Sequence, residues 1–335
     1  MTLANPTLPR TASPRSVARR HHYDWEGYLY LLPAFLILTV FHIIPVINAV
    51  YISLHTGPTV RLVYAGLKNY QTALGSDFWT SLQNTLYFAI GTVPVTMGIG
   101  LVLAYLLFQG IRAKGLFRVI YFLPYITSTV ASAAVWAWVY DPQAGILKII
   151  SQRLGLPTFK WLIEPRSIAR IFEGLTGVHL GLPAWAQGPS LALVAVIIFS
   201  IWQYTGYDTV LFLAGLGNIP GELYEAARID GANRFQLFRL ITVPLLAPTI
   251  FFVLIISTIG SFQAFNQIYV MNQAAAQSLG GPLDTTRTVS VYLFKTLWES
   301  NDPGLAAAIG VLMALIILGL TVVQFRILGR RAQAA

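Results

Sequence analysis

The chain contains no cysteine, so disulfides, thiolate metal ligands and cysteine nucleophiles are all excluded. Charge is scarce as well. Asp, Glu, Lys and Arg make up 10% of the 335 residues, against roughly 25% in soluble domains, too few to cover a surface wetted on all sides. No G-x-x-x-x-G-K-[ST] occurs, so a phosphate-cradling loop of that type is missing. Alternating ten-residue segments, the mark of a transmembrane barrel, are missing too. What is present is hydrophobic: 56% of residues, gathered into runs that reach the ~20 apolar residues needed to cross a bilayer. Hydrocarbon satisfies no backbone polar group, so such runs must be helical. The fold class is an all-α integral membrane protein.

Six spans are predicted: Tyr28 to Ser53, Asn84 to Phe108, Val119 to Tyr140, Ser190 to Leu216, Leu240 to Phe265 and Leu305 to Leu328. They define a transmembrane domain over 28–328, between an N-terminal tail (1–27) and a short C-terminal tail (329–335). Pro33, Pro45, Pro94, Pro124, Pro244 and Pro248 fall inside or at the ends of spans, which membrane helices tolerate where neighbours re-satisfy the freed carbonyls. Ser257, Gly260 and Ser261 read as a close helix contact. The N-terminal tail, with Arg10, Arg15, Arg19 and Arg20 among Pro6, Pro9 and Pro14, is expected to be disordered. It is not expected to be a cleavable signal, because the apolar run after it is too long and lacks a small-residue cleavage site.

The formal charge of +9 does not argue for nucleic acid, since no basic stripe is interleaved with aromatics on a polar domain. The basic residues instead orient the helices. With both termini in the cytoplasm, Arg112, Lys114 and Arg118 occupy a short internal loop without an acid, and Arg228, Arg234, Arg239, Arg326, Arg330 and Arg331 also face inward. Lys148, Arg153, Lys160, Arg166 and Arg170 fall in one long outer loop, Asp141 to Pro189, a length at which the rule loses force. In that loop Trp161, Ile168, Ile171, Phe172 and Leu175 are spaced as one apolar face of a short helix. Such a helix either lies on the membrane surface or offers a docking surface to an external partner.

The stretch from Asn218 to Arg239 is the most informative. Pro220 suits a first helical turn, Glu222 and Glu225 come early and Arg228 late, as the helix dipole favours, and Asp230-Gly231 supplies a stop. Asn233 with Gln236 resembles a capping box that opens a second helix. Two short helices joined at a tight corner follow, a rigid knuckle with a shallow surface at Ala226 and Ala227 and apolar area from Tyr224, Phe235 and Phe238. From the residues alone, a partner-docking element and an ordinary interfacial loop both stand.

Glu225-Ala226-Ala227, then Gly231, then Ile241-Thr242-Val243-Pro244 resembles the EAA loop of binding-protein-dependent ABC importer permeases, E-A-A, three residues, G, nine residues, I-x-L-P. Val243 stands where leucine is usual. Leu123-Pro124, Trp138, the Asp141-Pro142-Gln143-Ala144-Gly145 turn, Phe265 to Val270, Gly280-Gly281-Pro282 and Thr285-Thr286 are similar to the carbohydrate-uptake, maltose- and glycerol-phosphate-type branch. The stretch from Arg166 to Gly188 is longer than usual for that branch. The resemblance implies a permease subunit in a prokaryotic plasma (inner) membrane, forming half of the path for a sugar or related polar solute. It implies a separate ATPase that contacts Glu225, Ala226, Ala227, Asp230 and Gly231, with Pro244 closing the motif. The implied partners are two ATP-binding subunits, a second permease and an external solute-binding protein. No cofactor and no enzymatic activity of its own are expected.

Within the spans Asp208 is the one clearly internal acid, a costly placement that points to a cavity or partner. Gln203 and Tyr204 accompany it, and Gln263, Asn266 and Gln267 are spaced to share a helix side. Amides and a carboxylate beside aromatic rings suit sugar hydroxyls and ring faces; the alternative is interhelical hydrogen bonding. His42 has no second ligand beside it and reads as a packed or interfacial histidine rather than a metal ligand. The rival functional class, an ion-coupled secondary transporter, calls for more intramembrane ionisable groups than Asp208 and His42. An intramembrane enzyme calls for paired acids or a nucleophile and base within the spans, which the sequence does not offer.

Overall fold

The computed structural model describes residues 25–58, 61–109 and 113–329. Most of the expected N-terminal tail, with Arg10, Arg15, Arg19 and Arg20, lies outside them, as do Arg112, Arg330 and Arg331 of the orientation argument. The chain divides into two units, Met1–Asn48 and Ala49–Ala335. The described residues of the first unit belong to α1, a helix that begins at Trp25 and whose stretch long and apolar enough to cross a membrane is Tyr28–Ser53. A π-helical turn at Thr39–Ile43 interrupts it just before Pro45, whose missing N–H leaves a carbonyl without its usual donor. His42 is exposed in that turn.

In the second unit a two-residue antiparallel ladder, β1 (His55–Thr56) with β2 (Val63–Tyr64), leads to α2 (Lys68–Ala73) and α3 (Ser76–Phe108). The expected start of this second span at Asn84 is corrected to Ser76. The added turns mix polar Ser76, Thr80, Ser81 and Gln83 with buried Phe78, and they carry Asp77 in the first helical turn, where the dipole favours an acid.

The third span differs more. Val119 to Tyr140 is two helices, α4 (Lys114–Ile126) and α5 (Thr129–Val139), bent by 92°. Thr127 and Ser128 are extended at the break, and the Thr127 hydroxyl donates to the Pro124 carbonyl at 2.7 Å, capping the end of α4. After α6 (Ile146–Arg153) comes α7 (Ile168–Thr176), N-capped by Ser167. α7 carries Ile168, Ile171, Phe172 and Leu175 as the spacing predicted, but Trp161 lies before it, packed on Tyr140 with ring centroids 5.5 Å apart.

α8 (Leu191–Gly217) is the fourth span, opened by Ser190, whose hydroxyl accepts from Leu193 N–H at 3.1 Å. Then come α9 (Gly221–Ile229) and the fifth span, again broken: α10 (Arg234–Leu245) and α11 (Ala247–Phe262) meet at 67°. Pro244 and Pro248 each remove a donor there, and α10 absorbs the defect in a π-helical stretch at Leu237–Thr242. α12 (Asn266–Ala274), α13 (Val289–Trp298) and the last span, α14 (Pro303–Gly329), complete the order. Among the described residues four helices are long and apolar enough to cross a membrane, and up to six spans result when each bent pair is one.

α3 and α8 pack along each other as the frame of this unit. Phe88 of α3 and Leu193 and Phe199 of α8 belong to one apolar cluster; Ala104, Leu107, Phe212 and Leu216 belong to a second, nearer the α8–α9 connection. α4 crosses α8 at Gly206, where any Cβ would overlap the backbone of Tyr121, so the crossing requires glycine. Small residues at such crossings let backbones approach where the surrounding lipid offers no hydrophobic drive.

Candidate functional site

The knuckle forms at the end of the frame. Pro220 precedes α9, Glu222 lies in its first turn and Arg228 in its last. The stop is a paired carbonyl closure: Gly231 N–H donates to Arg228 O at 3.1 Å and Ala232 N–H to Ala227 O at 2.9 Å. Gly231 carries φ +83°, a left-handed conformation that glycine adopts freely. The capping box is present in both directions, Asn233 N–H to Gln236 Oε1 at 2.8 Å and Gln236 N–H to Asn233 Oδ1 at 2.9 Å. The second helix is not short as expected. It runs from Arg234 into the broken fifth span.

The knuckle is tied to the frame. Tyr224 points inward, packs on Phe108 with centroids 5.9 Å apart, and shares a 3.1 Å hydrogen bond with the Thr242 hydroxyl. Tyr105 of α3 donates to Arg234 O at 3.3 Å and its ring meets Phe238 at 4.8 Å. Tyr224 is therefore an anchor and not part of the exposed surface proposed for it from the sequence. That surface holds Glu225, Ala226, Asp230 and Phe235, with Ala227 half-buried, and Ile229 is 87% exposed, an apolar residue that the sequence reading passed over. Glu225, Arg228 and Arg234 also line a polar recess of about 480 Å³ between α9 and the end of α3. Pro244 lies on α10 beyond the knuckle, exposed.

α3, α4, α8, α11 and the start of α12 line a partly open cavity of about 190 Å³. Asp208, Tyr204 and Gln267 line it together. Asp208 is buried, and its carboxylate accepts a long 3.4 Å bond from the Ser257 hydroxyl, while Oδ2 has no partner among the described residues. The Thr92 hydroxyl, also on the lining, is equally unpartnered. Such buried polar atoms call for a partner. The structure adds Thr96, Tyr125, Tyr207, Ser257 and Ser261, and among the described residues no Lys, Arg or His lines the cavity. Hydroxyls at Thr92 and Thr96, or at Ser257 and Ser261, repeat at helical spacing; the sequence assigned the Ser257–Ser261 pair to packing and left the threonine pair unread.

Three of the expected path residues fall elsewhere. Gln203 is buried and its amide donates to Thr129 Oγ1 at 3.1 Å, holding α8 to the start of α5. Gln263 and Asn266 are exposed and do not share a helix side with Gln267, because α11 ends at Phe262 and α12 begins at Asn266.

Residues 96–333 match the family described as the binding-protein-dependent transport system inner membrane component. The trehalose/maltose transport system permease protein MalF of Thermococcus litoralis is 33% identical over 304 residues, spanning 90% of this chain and 92% of that protein. The lactose transport system permease protein LacF of Rhizobium radiobacter is 31% identical over 319 residues, 94% and 97% of the two chains. A chain of the bacterial alginate ABC transporter, solved in complex with an alginate pentasaccharide-bound periplasmic protein, shares the fold with a TM-score of 0.72 at 21% identity, over 90% of this chain and 93% of its own. Broken spans, the capped knuckle and these matches lead to one assignment: the chain belongs to the binding-protein-dependent transport system inner membrane component family and is an ABC importer permease.

Proposed function

We propose that the chain forms half of the translocation path for a sugar or related polar solute and couples to a separate ATPase through residues 217–239. The observation that carries the reading is the knuckle. A capped corner tied to α3 by Tyr105 and to α10 by Tyr224 moves as a unit, while Glu225, Ala226 and Ile229 stay exposed for a partner. Both termini and the knuckle face the cytoplasm in this reading, where two ATP-binding subunits dock, and a second permease completes the path. An external solute-binding protein delivers the solute. The sugar class is supported by relatives named for trehalose/maltose and lactose transport and by the cavity chemistry. The free oxygen of Asp208 and the Thr92 hydroxyl accept from solute hydroxyls, Gln267 offers an amide, and Tyr125, Tyr204 and Tyr207 offer ring faces.

The test is the purified assembly. It should contain an ATPase chain, and its ATP hydrolysis should rise with one particular solute-loaded binding protein. A preparation that lacks an ATPase chain and accumulates solute on an ion gradient alone refutes the proposal in favour of a secondary transporter.

A further inference from the structure

Asp208 is the one charged side chain among the described residues that line the cavity, and nothing there balances it. It is 1% exposed. One carboxylate oxygen accepts the 3.4 Å bond from Ser257, and Oδ2 has no partner among the described residues. The Ser261 hydroxyl, also on the lining, donates to its own helix at Thr258 O instead. Behind Asp208, α3 comes so close that a Cβ on Gly100 would lie 3.0 Å from the Asp208 Cβ. The frame therefore leaves no room on that side for a cationic side chain. Burying a carboxylate without a counter-charge is costly, and here the charge can be met only from the cavity.

The rest of the lining indicates what meets it. Tyr204 lies one helical turn before Asp208 and so shares its side of α8. Tyr125 stacks on Tyr207 with ring centroids 4.5 Å apart and meets Tyr204 at 6.2 Å. All three rings line the cavity. Aromatic rings grouped beside a carboxylate are the chemistry that recognises an ammonium. A metal ion is a poorer match, because a hard cation calls for about six oxygens, and Phe88, Val93 and Ile256 fill much of the remaining lining. A neutral hydroxyl also donates at Oδ2, but it leaves the charge in place; an ammonium donates and cancels it. At about 190 Å³ the cavity is smaller than the ~300–1,000 Å³ of pockets for drug-sized ligands, so a single ring enters at a time.

Resting on the functional reading above, we propose that the solute carries a protonated amine: the permease takes an amino sugar, whose ammonium is held by Asp208 and by the rings of Tyr125, Tyr204 and Tyr207. The Thr92 hydroxyl and the Gln267 amide remain for the ring hydroxyls. The same arrangement selects against an acidic sugar, since a second carboxylate would face Asp208 with no cation between them.

The test uses the assembled transporter in phosphatidylcholine nanodiscs, whose zwitterionic lipid does not concentrate amines, with weak binding followed by saturation-transfer NMR. The probes are two matched pairs that differ only at C2, glucosamine against glucose and galactosamine against galactose, with N-acetylglucosamine as a neutral amide. In at least one pair the amine should bind about tenfold more tightly than its hydroxyl partner, and the acetylated sugar should lose that advantage. Asp208→Asn should remove the preference, a ratio that a purely structural role of Asp208 would leave unchanged. Equal binding of amine and hydroxyl in both pairs overturns the proposal, and that comparison needs only the wild-type complex. A preference that survives in Asp208→Asn overturns the assignment to Asp208. If no probe binds while ATP hydrolysis still responds to a solute-loaded binding protein, the amine is overturned and the functional reading stands. A complex that responds to no binding protein refutes the functional reading itself.

Discussion

Gly231 offers a clean perturbation, because nothing lies within 4 Å of where its Cβ would be. A substitution there meets no steric wall, and its effect comes from the backbone alone. At φ +83° an ordinary L-residue is disfavoured by about 1–2 kcal/mol, a β-branched one by more within the ~1–3 kcal/mol range for imposed strain, and Asn by less because it tolerates this region. The corner is held by two backbone bonds and a capping box, so a cost of ~2 kcal/mol shifts the balance between closed and opened corner by roughly thirtyfold. Transport should therefore fall in the order Asn, Ala, Val, with Gly231→Val nearly inactive. Membrane abundance should stay at the wild-type level, because the spans lie elsewhere. The assay combines uptake, abundance by immunoblot, co-purification of the ATPase and solute-stimulated hydrolysis. Normal transport in Gly231→Val refutes the coupling argument. Equal loss with Asn and Val refutes the backbone explanation and shifts the cause to a side-chain clash with the docked subunit.

The chain's lack of cysteine makes topology easy to probe: single cysteines at Gln109 and Asn233 should be shielded from an impermeant reagent in intact cells and one at Gln187 labelled, and labelling of Asn233 would reverse the orientation. Asp208→Asn should change transport affinity or solute range while the complex still assembles; unchanged transport of the same solutes would reduce Asp208 to packing. Gly206→Val forces a side chain into the Tyr121 backbone, an overpacking cost of about 1–3 kcal/mol or more, so a thermal-unfolding midpoint equal to wild type would contradict the described α4–α8 crossing.

Much of this arrangement is legible from residues. The hydropathy runs locate α1, α8 and α14 within a few residues, because their ends carry plain signals such as the Ser190 cap. The knuckle is legible for the same reason, since Asn233, Gln236 and Gly231 act on their own neighbours. The two bends are not. Residues on both sides of Thr127–Ser128 and of Leu246 are similarly apolar, and hydropathy reports composition without direction. Tyr224 belongs on either face of α9 until Phe108 and Thr242 are placed beside it. The cavity is hidden for a related reason: Thr96 and Ser261 bond carbonyls of their own helices at 3.1 and 2.8 Å, as intramembrane hydroxyls commonly do, and only assembly shows that they share a space with Asp208.

The irregular backbone is not scattered. Tyr125, on the cavity lining, sits two residues before the break between α4 and α5; Ser261 and Gln267 flank the break between α11 and α12. Inside a membrane such backbone is tolerated where protein buries it or where it lines a cavity; at both breaks residues beside the break line the cavity, while Thr127, Ser128 and Gln263 themselves are exposed. The uninterrupted helices, α3 and α8, carry the frame and bring Thr92, Thr96 and Asp208 to the same space. The elbow at Leu246 lies on a stretch that joins knuckle and cavity as continuous chain outside that frame: α10 leaves the capped corner, and α11 delivers Ser257 to the Asp208 carboxylate. Under the proposed coupling, a knuckle displacement passed along α10 is expected to move Ser257, on α11, relative to Asp208, on α8. Their 3.4 Å hydrogen bond, long for a hydroxyl donating to a carboxylate oxygen, is the contact that such a displacement would make or break.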